Sequence, residues 1–194
     1  MPNWCNNTLI VTSDSEAELN RFIAFVKSDN SDFDFEKIIP STRTKAYWKK
    51  QWNTMPKKKR EKETDFDTYW FNTGKGYNWC VKNWGTKWYV SDVDVNIADE
   101  SMVEYMFNSA WSPPLAITRK LIKLFPKLDF KHNYDEDGMG YEGILESNNG
   151  IIIEDRDWGI EYEACPKCDL PNKKTDAQKT FYCIDCELEY IVSK

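Results

Sequence analysis

The chain has 194 residues, 41% hydrophobic and 15% aromatic, with a net charge of −6. That length buries one core and leaves room for a small appendage, so a main domain with a satellite is expected. No apolar run approaches the span of a bilayer, and the opening Met-Pro-Asn-Trp-Cys-Asn-Asn lacks a basic or apolar leader region, so the expectation is a soluble cytoplasmic protein with no membrane partner.

Asn3 to Thr12 ends in Thr-Leu-Ile-Val-Thr and reads as a first strand. Ser13 or Asp14 is positioned to cap a helix with Leu19, Phe22, Ile23 and Val26 at helical spacing, ending near Ser28. After the Asp29-Asn30-Ser31 turn, Phe33, Phe35 and Ile38-Ile39-Pro40 predict a short extended piece closed by proline.

The charge is uneven. Between Arg43 and Glu63 nine Lys or Arg stand against two Glu, a local +7, which leaves −13 for the rest. An acidic body argues against indiscriminate duplex binding, because phosphate neutralisation drives that affinity. The basic segment, an insertion near 41–68, mixes Tyr47, Trp48 and Trp52 with lysines before the run Lys57, Lys58, Lys59, Arg60. Two readings stand: a solvated, partly helical insertion, or cations and rings that grip a nucleic-acid strand.

Trp70 to Trp88 carries four of the nine Trp, with three Gly, three Lys and three Asn, a density that neither a helix nor an ordinary strand requires. Its indoles Trp79, Trp84 and Trp88, with Lys87, either plug a core or form a stacking wall for a planar ligand. Gly85 lies between Trp84 and Trp88, so at least one indole is expected to be exposed.

Val90 to Ile97 alternates as a half-exposed strand, and Val103 to Trp111 supplies its partner. Ser112-Pro113-Pro114 predicts a helix start with serine as the cap, followed by Ile117, Leu121, Ile122 and Phe125 on one face and a stop at Pro126. Leu128 to Tyr134 is a further strand. Gly138 to Gly140 turns the chain, and Asn148-Asn149-Gly150 marks a hairpin before Ile151-Ile152-Ile153.

Strand, helix, insertion, strand, strand, helix, strand is the order of an α+β ferredoxin-like sandwich, an antiparallel sheet with helices on one face, here extended by a C-terminal hairpin over residues 1–159. Four motifs then occur in order: Met-Pro-Asn-Trp-Cys-Asn-Asn at the start, Phe35-Glu36-Lys37-Ile38-Ile39-Pro40, Asn83-Trp84-Gly85-Thr86-Lys87-Trp88 and Ala110-Trp111-Ser112-Pro113-Pro114. Over the first 145 residues or so they resemble the YubB ferredoxin-like family of bacteriophages and conjugative plasmids. The resemblance implies a mobile-element accessory protein in a bacterial cytoplasm and an anti-defence role, and it brings no catalytic residues. The basic insertion and the cysteine-rich tail depart from it.

Residues 160–194 hold the sharpest chemical signal. Cys165-Pro-Lys-Cys168 and Cys183-Ile-Asp-Cys186 are two C-x2-C knuckles separated by fourteen residues, close to the spacing expected of a four-cysteine zinc ribbon. Four thiolates close the tetrahedron, so the expected Zn²⁺ is structural.

Enzymatic readings fare worse. His132 is the only histidine, which removes paired-histidine chemistry, and its place in Phe-Lys-His-Asn-Tyr predicts a strand surface. Asn133 to Gly138 matches half a calcium loop, but position twelve is Ile144 where a bidentate Glu is needed, so a hairpin turn is expected. Gly74-Lys-Gly76 lacks the remaining glycines of a phosphate loop. Cys5 and Cys80 read as buried thiols. Glu154, Asp155 and Asp157 leave a divalent-metal hydrolase as a minor possibility. The expected function is a non-enzymatic binding protein: recognition of nucleic acid or a nucleotide through Trp48, the lysine run and the aromatic stretch, or, as the alternative, protein–protein inhibition of a host bacterial complex.

Overall fold

The computed structural model describes residues 3–41, 45–60, 65–73, 77–159, 161–164, 167, 171–174, 180–183 and 188–191. Strand β1 (Trp4–Thr12) alternates as its sequence predicts, burying Cys5, Asn7, Leu9 and Val11. Helix α1 (Glu16–Val26) follows, capped by Ser15, whose hydroxyl accepts from the Glu18 amide, one residue beyond the predicted caps. The predicted extended piece is instead a short helix, α2 (Phe35–Ile38). Asp34 accepts from the Glu36 amide at 2.8 Å, and this cap lets the chain wind so that Phe35 and Ile38 both face inward.

The basic insertion is helical, as α3 (Lys45–Thr54) and α4 (Lys57–Arg60), and leads into α5 (Phe66–Thr73) and α6 (Tyr77–Trp84). The aromatic stretch is therefore largely helix, against the sequence expectation. In α6 the spacing of Cys80 and Trp84 places both in the core. Gly74-Lys-Gly76 lies outside the described residues.

Strands β2 (Ser91–Asp99) and β3 (Met102–Ala110), helix α7 (Leu115–Leu124), and strands β4 (Asp129–Glu136), β5 (Tyr141–Asn148) and β6 (Ile151–Gly159) complete the main body. The sheet order is β2-β3-β1-β4-β5-β6, with every neighbouring pair antiparallel. The first four strands in that order, with crossovers through α1 and α7, are the ferredoxin-like arrangement, and β5 and β6 extend it by one hairpin. The core lies between the sheet and the helices. Phe22 meets Phe125, Phe130 and Tyr105 edge-on at 5.3, 5.8 and 6.1 Å, the preferred arrangement for aromatic rings. No described helix is long and apolar enough to cross a membrane.

Two further expectations change. Pro114, with no side-chain cap, opens α7, because the Ser112 hydroxyl donates to the Gly85 carbonyl at 2.7 Å instead. His132 is completely buried, because its position in β4 alternates onto the helix-facing side of the sheet.

Beyond β6 come two short hairpins, β7 (Glu161–Ala164) with β8 (Pro171–Lys174), and β9 (Thr180–Cys183) with β10 (Leu188–Ile191).

Candidate functional site

Three of the four sequence motifs meet at one end of the sheet. Gly85 ends α6 with its amide 3.2 Å from the Cys80 and Val81 carbonyls, and its φ of +88° is one that a side chain would strain. A Cβ there would also lie 3.2 Å from the Pro113 carbonyl, so the loop after α6 can sit flush against the start of α7 only as glycine. Buried Thr86 donates to the Ala110 carbonyl at 2.9 Å, and the Trp111 amide donates to the Asn3 carbonyl at 3.0 Å. The remaining motif joins from behind: the Trp84 indole donates to the Ile39 carbonyl at 3.0 Å, and the Tyr89 hydroxyl donates to Glu36 at 3.0 Å.

The stitching presents a patch of rings. Trp4 and Trp111 are each 40% exposed, and half-buried Trp88 meets Trp4 edge-on at 6.4 Å. The Lys87 ammonium sits 3.4 Å from the centre of the Trp111 ring, a cation–π contact. Trp111 has a φ of +72°, a left-handed conformation that costs a bulky residue roughly 1–2 kcal/mol. Its carbonyl is held by the Tyr141 hydroxyl at 2.9 Å. Hydrogen bonds at its amide and carbonyl hold this strained backbone in place under an exposed indole.

Each predicted residue can be placed against this patch. Lys87 and Trp88 belong to it. Trp84 does not, being fully buried, and half-buried Trp79 packs on Trp84 at 5.2 Å. The expectation of an exposed indole among Trp79, Trp84 and Trp88 fails: helix α6 turns the first two inward and Trp4 partly covers the third. Among the described residues the exposed indoles are Trp4, Trp111 and Trp158; sequence reasoning did not single them out as binding residues, although Trp4 and Trp111 sit in the quoted motifs.

Within the insertion, Trp48 meets Tyr69 at 6.3 Å, and Trp52 meets Tyr69 and Phe66 at 5.2 and 6.2 Å. Its rings mainly pack against one another. Lys57 and Lys58 are exposed and Arg60 half-buried on α4, while Lys59 is helical.

Other groups are poorly set up for chemistry. Burial drives the Cys5 thiol up to about 12, so it stays protonated. Burial pushes His132 down to about 3. Its Nδ1 lies 2.7 Å from the Thr118 hydroxyl and its Nε2 3.1 Å from the Asn7 side-chain oxygen, a network that ties α7 to the sheet. Asn133 to Gly138 ends β4 and enters the hairpin turn to β5, as expected. Asp155 is clasped by Arg119 at 2.9 and 3.0 Å, and Glu154 pairs with Arg156. Strand alternation places Glu154 on the opposite face from Asp155 and Asp157, so the three do not converge.

The sheet face away from the helices is acidic. The register aligns Glu104, Lys131, Glu146 and Glu154 in one row across it and Asp135 with Glu142 in another, and Asp94 shares the face. A cleft of about 630 Å³ between residues 30–36 and the start of β2 is also lined by Asp32, Asp34, Glu36 and Asp92. Neither surface suits phosphate.

Of the four zinc-ligand candidates, Cys165, Cys168 and Cys186 lie outside the described residues, and Cys183 ends β9. Ala164 pairs with Pro171, and Cys183 pairs with Leu188.

A family model described as the ferredoxin-like domain in Api92-like protein matches residues 83–185. The chain resembles the crystal structure of the protein api92 from Yersinia pseudotuberculosis at 11% identity, with a TM-score of 0.46, covering 83% of this chain and 99% of that one. No curated protein matches.

Proposed function

Starting from a chain that belongs to the family of ferredoxin-like domains in Api92-like proteins, we propose a non-catalytic binding protein that recognises nucleic acid or a nucleotide through Trp4, Trp88, Trp111 and Lys87. The observation that carries this reading is the strained, exposed Trp111 beside a lysine ammonium. Indole faces stack on any base at roughly 1–3 kcal/mol per base, and an adjacent cation meets phosphate. The acidic remainder of the surface would confine binding to this end and favour single strands or mononucleotides over duplex. Lys57, Lys58, Lys59 and Arg60 offer a secondary phosphate contact.

In the same proposal the tail is a zinc ribbon, in which Cys165, Cys168, Cys183 and Cys186 hold one structural Zn²⁺. The two C-x2-C sequences supply four thiolates, which suit a tetrahedral soft site. The setting we propose is a mobile element's accessory protein in a bacterial cytoplasm, acting in counter-defence.

A second reading, a protein inhibitor of a host complex, draws on the acidic sheet face, which would complement a cationic partner protein.

Titration of short single-stranded oligonucleotides and mononucleotides into the wild type, Trp111→Gly and Trp88→Ala tests the first reading. Glycine removes the ring and relieves the backbone, so Trp111→Gly should melt at or above the wild-type temperature while losing on the order of 10-fold or more in affinity. Absence of binding by the wild type at low salt would end the nucleic-acid reading and move weight to the protein partner.

A further inference from the structure

Strand β6 forms one edge of the sheet, and among the described residues its one strand neighbour is β5. An edge strand offers a row of backbone donors and acceptors to a further strand. Every residue of β6 except Glu154 is exposed, and Ile151, Ile152 and Ile153 put three consecutive apolar side chains into water. Ile153 is skipped by the β5 register, so it gains nothing from the ladder behind it. Contiguous exposed apolar surface of this kind marks an interaction site.

The two edges of the sheet differ in charge. β2 carries Asp92, Asp94 and Asp99 and no cation, so two such edges repel. β6 carries both signs, with Glu154, Asp155, Arg156 and Asp157 in a row. A two-fold axis normal to the sheet pairs two β6 strands antiparallel and keeps each face on its own side, so the axis must pass beside a residue. Placed at Glu154, Arg156 or Asp157, it brings an unneutralised charge or an exposed ion pair against its own copy. Placed at Asp155, it sets Glu154 of each copy directly opposite Arg156 of the other, an attractive cross-strand pair made twice. The Asp155 carboxylates that then approach are each clasped by their own Arg119 at 2.9 and 3.0 Å, so they arrive neutralised. Within one copy Arg156 already meets Glu154 at 2.5 Å, an exposed pair that holds little, and the guanidinium has donors left for a second carboxylate.

We propose that β6 is a homodimer interface: two copies pair this strand antiparallel about Asp155, with Glu154 and Arg156 fixing the register and the three isoleucines leaving water. In that register Ile151, Ile152 and Ile153 fall alongside Gly159, Trp158 and Asp157 of the other copy. The occupant is a second copy because the charge pattern of this edge is complementary to itself there. The two six-stranded sheets run on as one, and pairing uses the β6 edge of both copies, so assembly closes at two. Because the axis reverses the strands, the two indole patches lie at opposite ends of the joined sheet.

The full chain is followed by sedimentation equilibrium over a dilution series, and by hydrogen exchange in dilute and concentrated samples. The wild type is expected to pass from monomer to dimer and no further, with slower exchange in β6 on dimerisation and unchanged exchange in β2. Glu154→Arg and Arg156→Glu each turn two attractive pairs into repulsive ones and should weaken the dimer by about tenfold or more. Mixed together, the two variants place Arg opposite Glu at every pair, so a heterodimer should regain the wild-type affinity within about threefold. The double variant, which exchanges the charges within one chain, should do the same. A wild type that stays monomeric overturns the proposal and leaves the edge to an extended segment of a different partner. Dimers whose protection lies outside β6, single variants that dimerise like the wild type, or a mixture that stays monomeric overturn it as well. Exchange in the wild type locates the contact without any variant, so the proposal is decided even if a charge reversal fails to fold.

Discussion

His132 Nδ1 lies 2.7 Å from the Thr118 hydroxyl, inside the interface between β4 and α7. Nε2 approaches the Asn7 oxygen, an acceptor, so that nitrogen carries the proton and Nδ1 accepts from Thr118. The ring is neutral, and burial holds its pKa down to about 3, against about 6.5 in the unfolded chain. Between those values the unfolded state binds the extra proton, so this contribution to stability is complete above pH 6.5 and is lost as pH falls toward 3. About 2 kcal/mol should be lost between neutral pH and about pH 5. As the only histidine in the chain, His132 owns that slope above the carboxylate range. Urea midpoints measured across roughly pH 5–7 should fall with acidification in the wild type and stay nearly flat in His132→Gln.

Trp84 and Trp88, four residues apart, should respond very differently to truncation. Trp84 is fully buried, with its N–H on the Ile39 carbonyl and its ring against Phe35 at 5.4 Å. Trp84→Ala should cost about 3–5 kcal/mol through the cavity and the orphaned carbonyl. Truncating half-buried Trp88 should cost about 1 kcal/mol. Thermal melts that rank the two equally would contradict the proposed division of labour within this segment.

The purified protein should contain about one zinc per chain. Chelation should release it while the melting of the ferredoxin-like body stays in place, because that body has its own core. Metal analysis finding none, or a single transition in which chelation unfolds everything, would refute the two-part organisation.

Replacing Lys57, Lys58, Lys59 and Arg60 with Gln should leave stability within about 0.5 kcal/mol, since the charges of a short lysine-rich helix are solvated. If the run touches phosphate, the salt dependence of single-strand binding should flatten by about 0.7 in log–log slope for each phosphate no longer neutralised. An unchanged slope would confine recognition to the indole patch.

The sequence by itself determined the order of the main elements and hence the ferredoxin-like sheet, because period-two and helical spacing of apolar residues record which side of each element is dry. It also determined that Cys5 and Cys80 are buried thiols. The cysteine spacing that points to zinc is equally local, since a knuckle needs only two intervening residues to aim two thiolates. What the tertiary structure decided is where single side chains end. Asp34 as a cap turned an apparent strand into α2, and Gly85 against Pro113 redirected Ser112 from capping α7 to holding a loop. His132 reads as a surface residue until Asn7 and Thr118, distant in sequence, arrive to satisfy both its nitrogens. Trp4, Trp88 and Trp111 are far apart in the sequence and carry no shared periodicity. They form one patch because antiparallel pairing aligns Trp4 with Ala110, so the start of β1 and the end of β3 lie side by side. Composition counts the indoles, but only that pairing of distant backbone decides which of them reach solvent together.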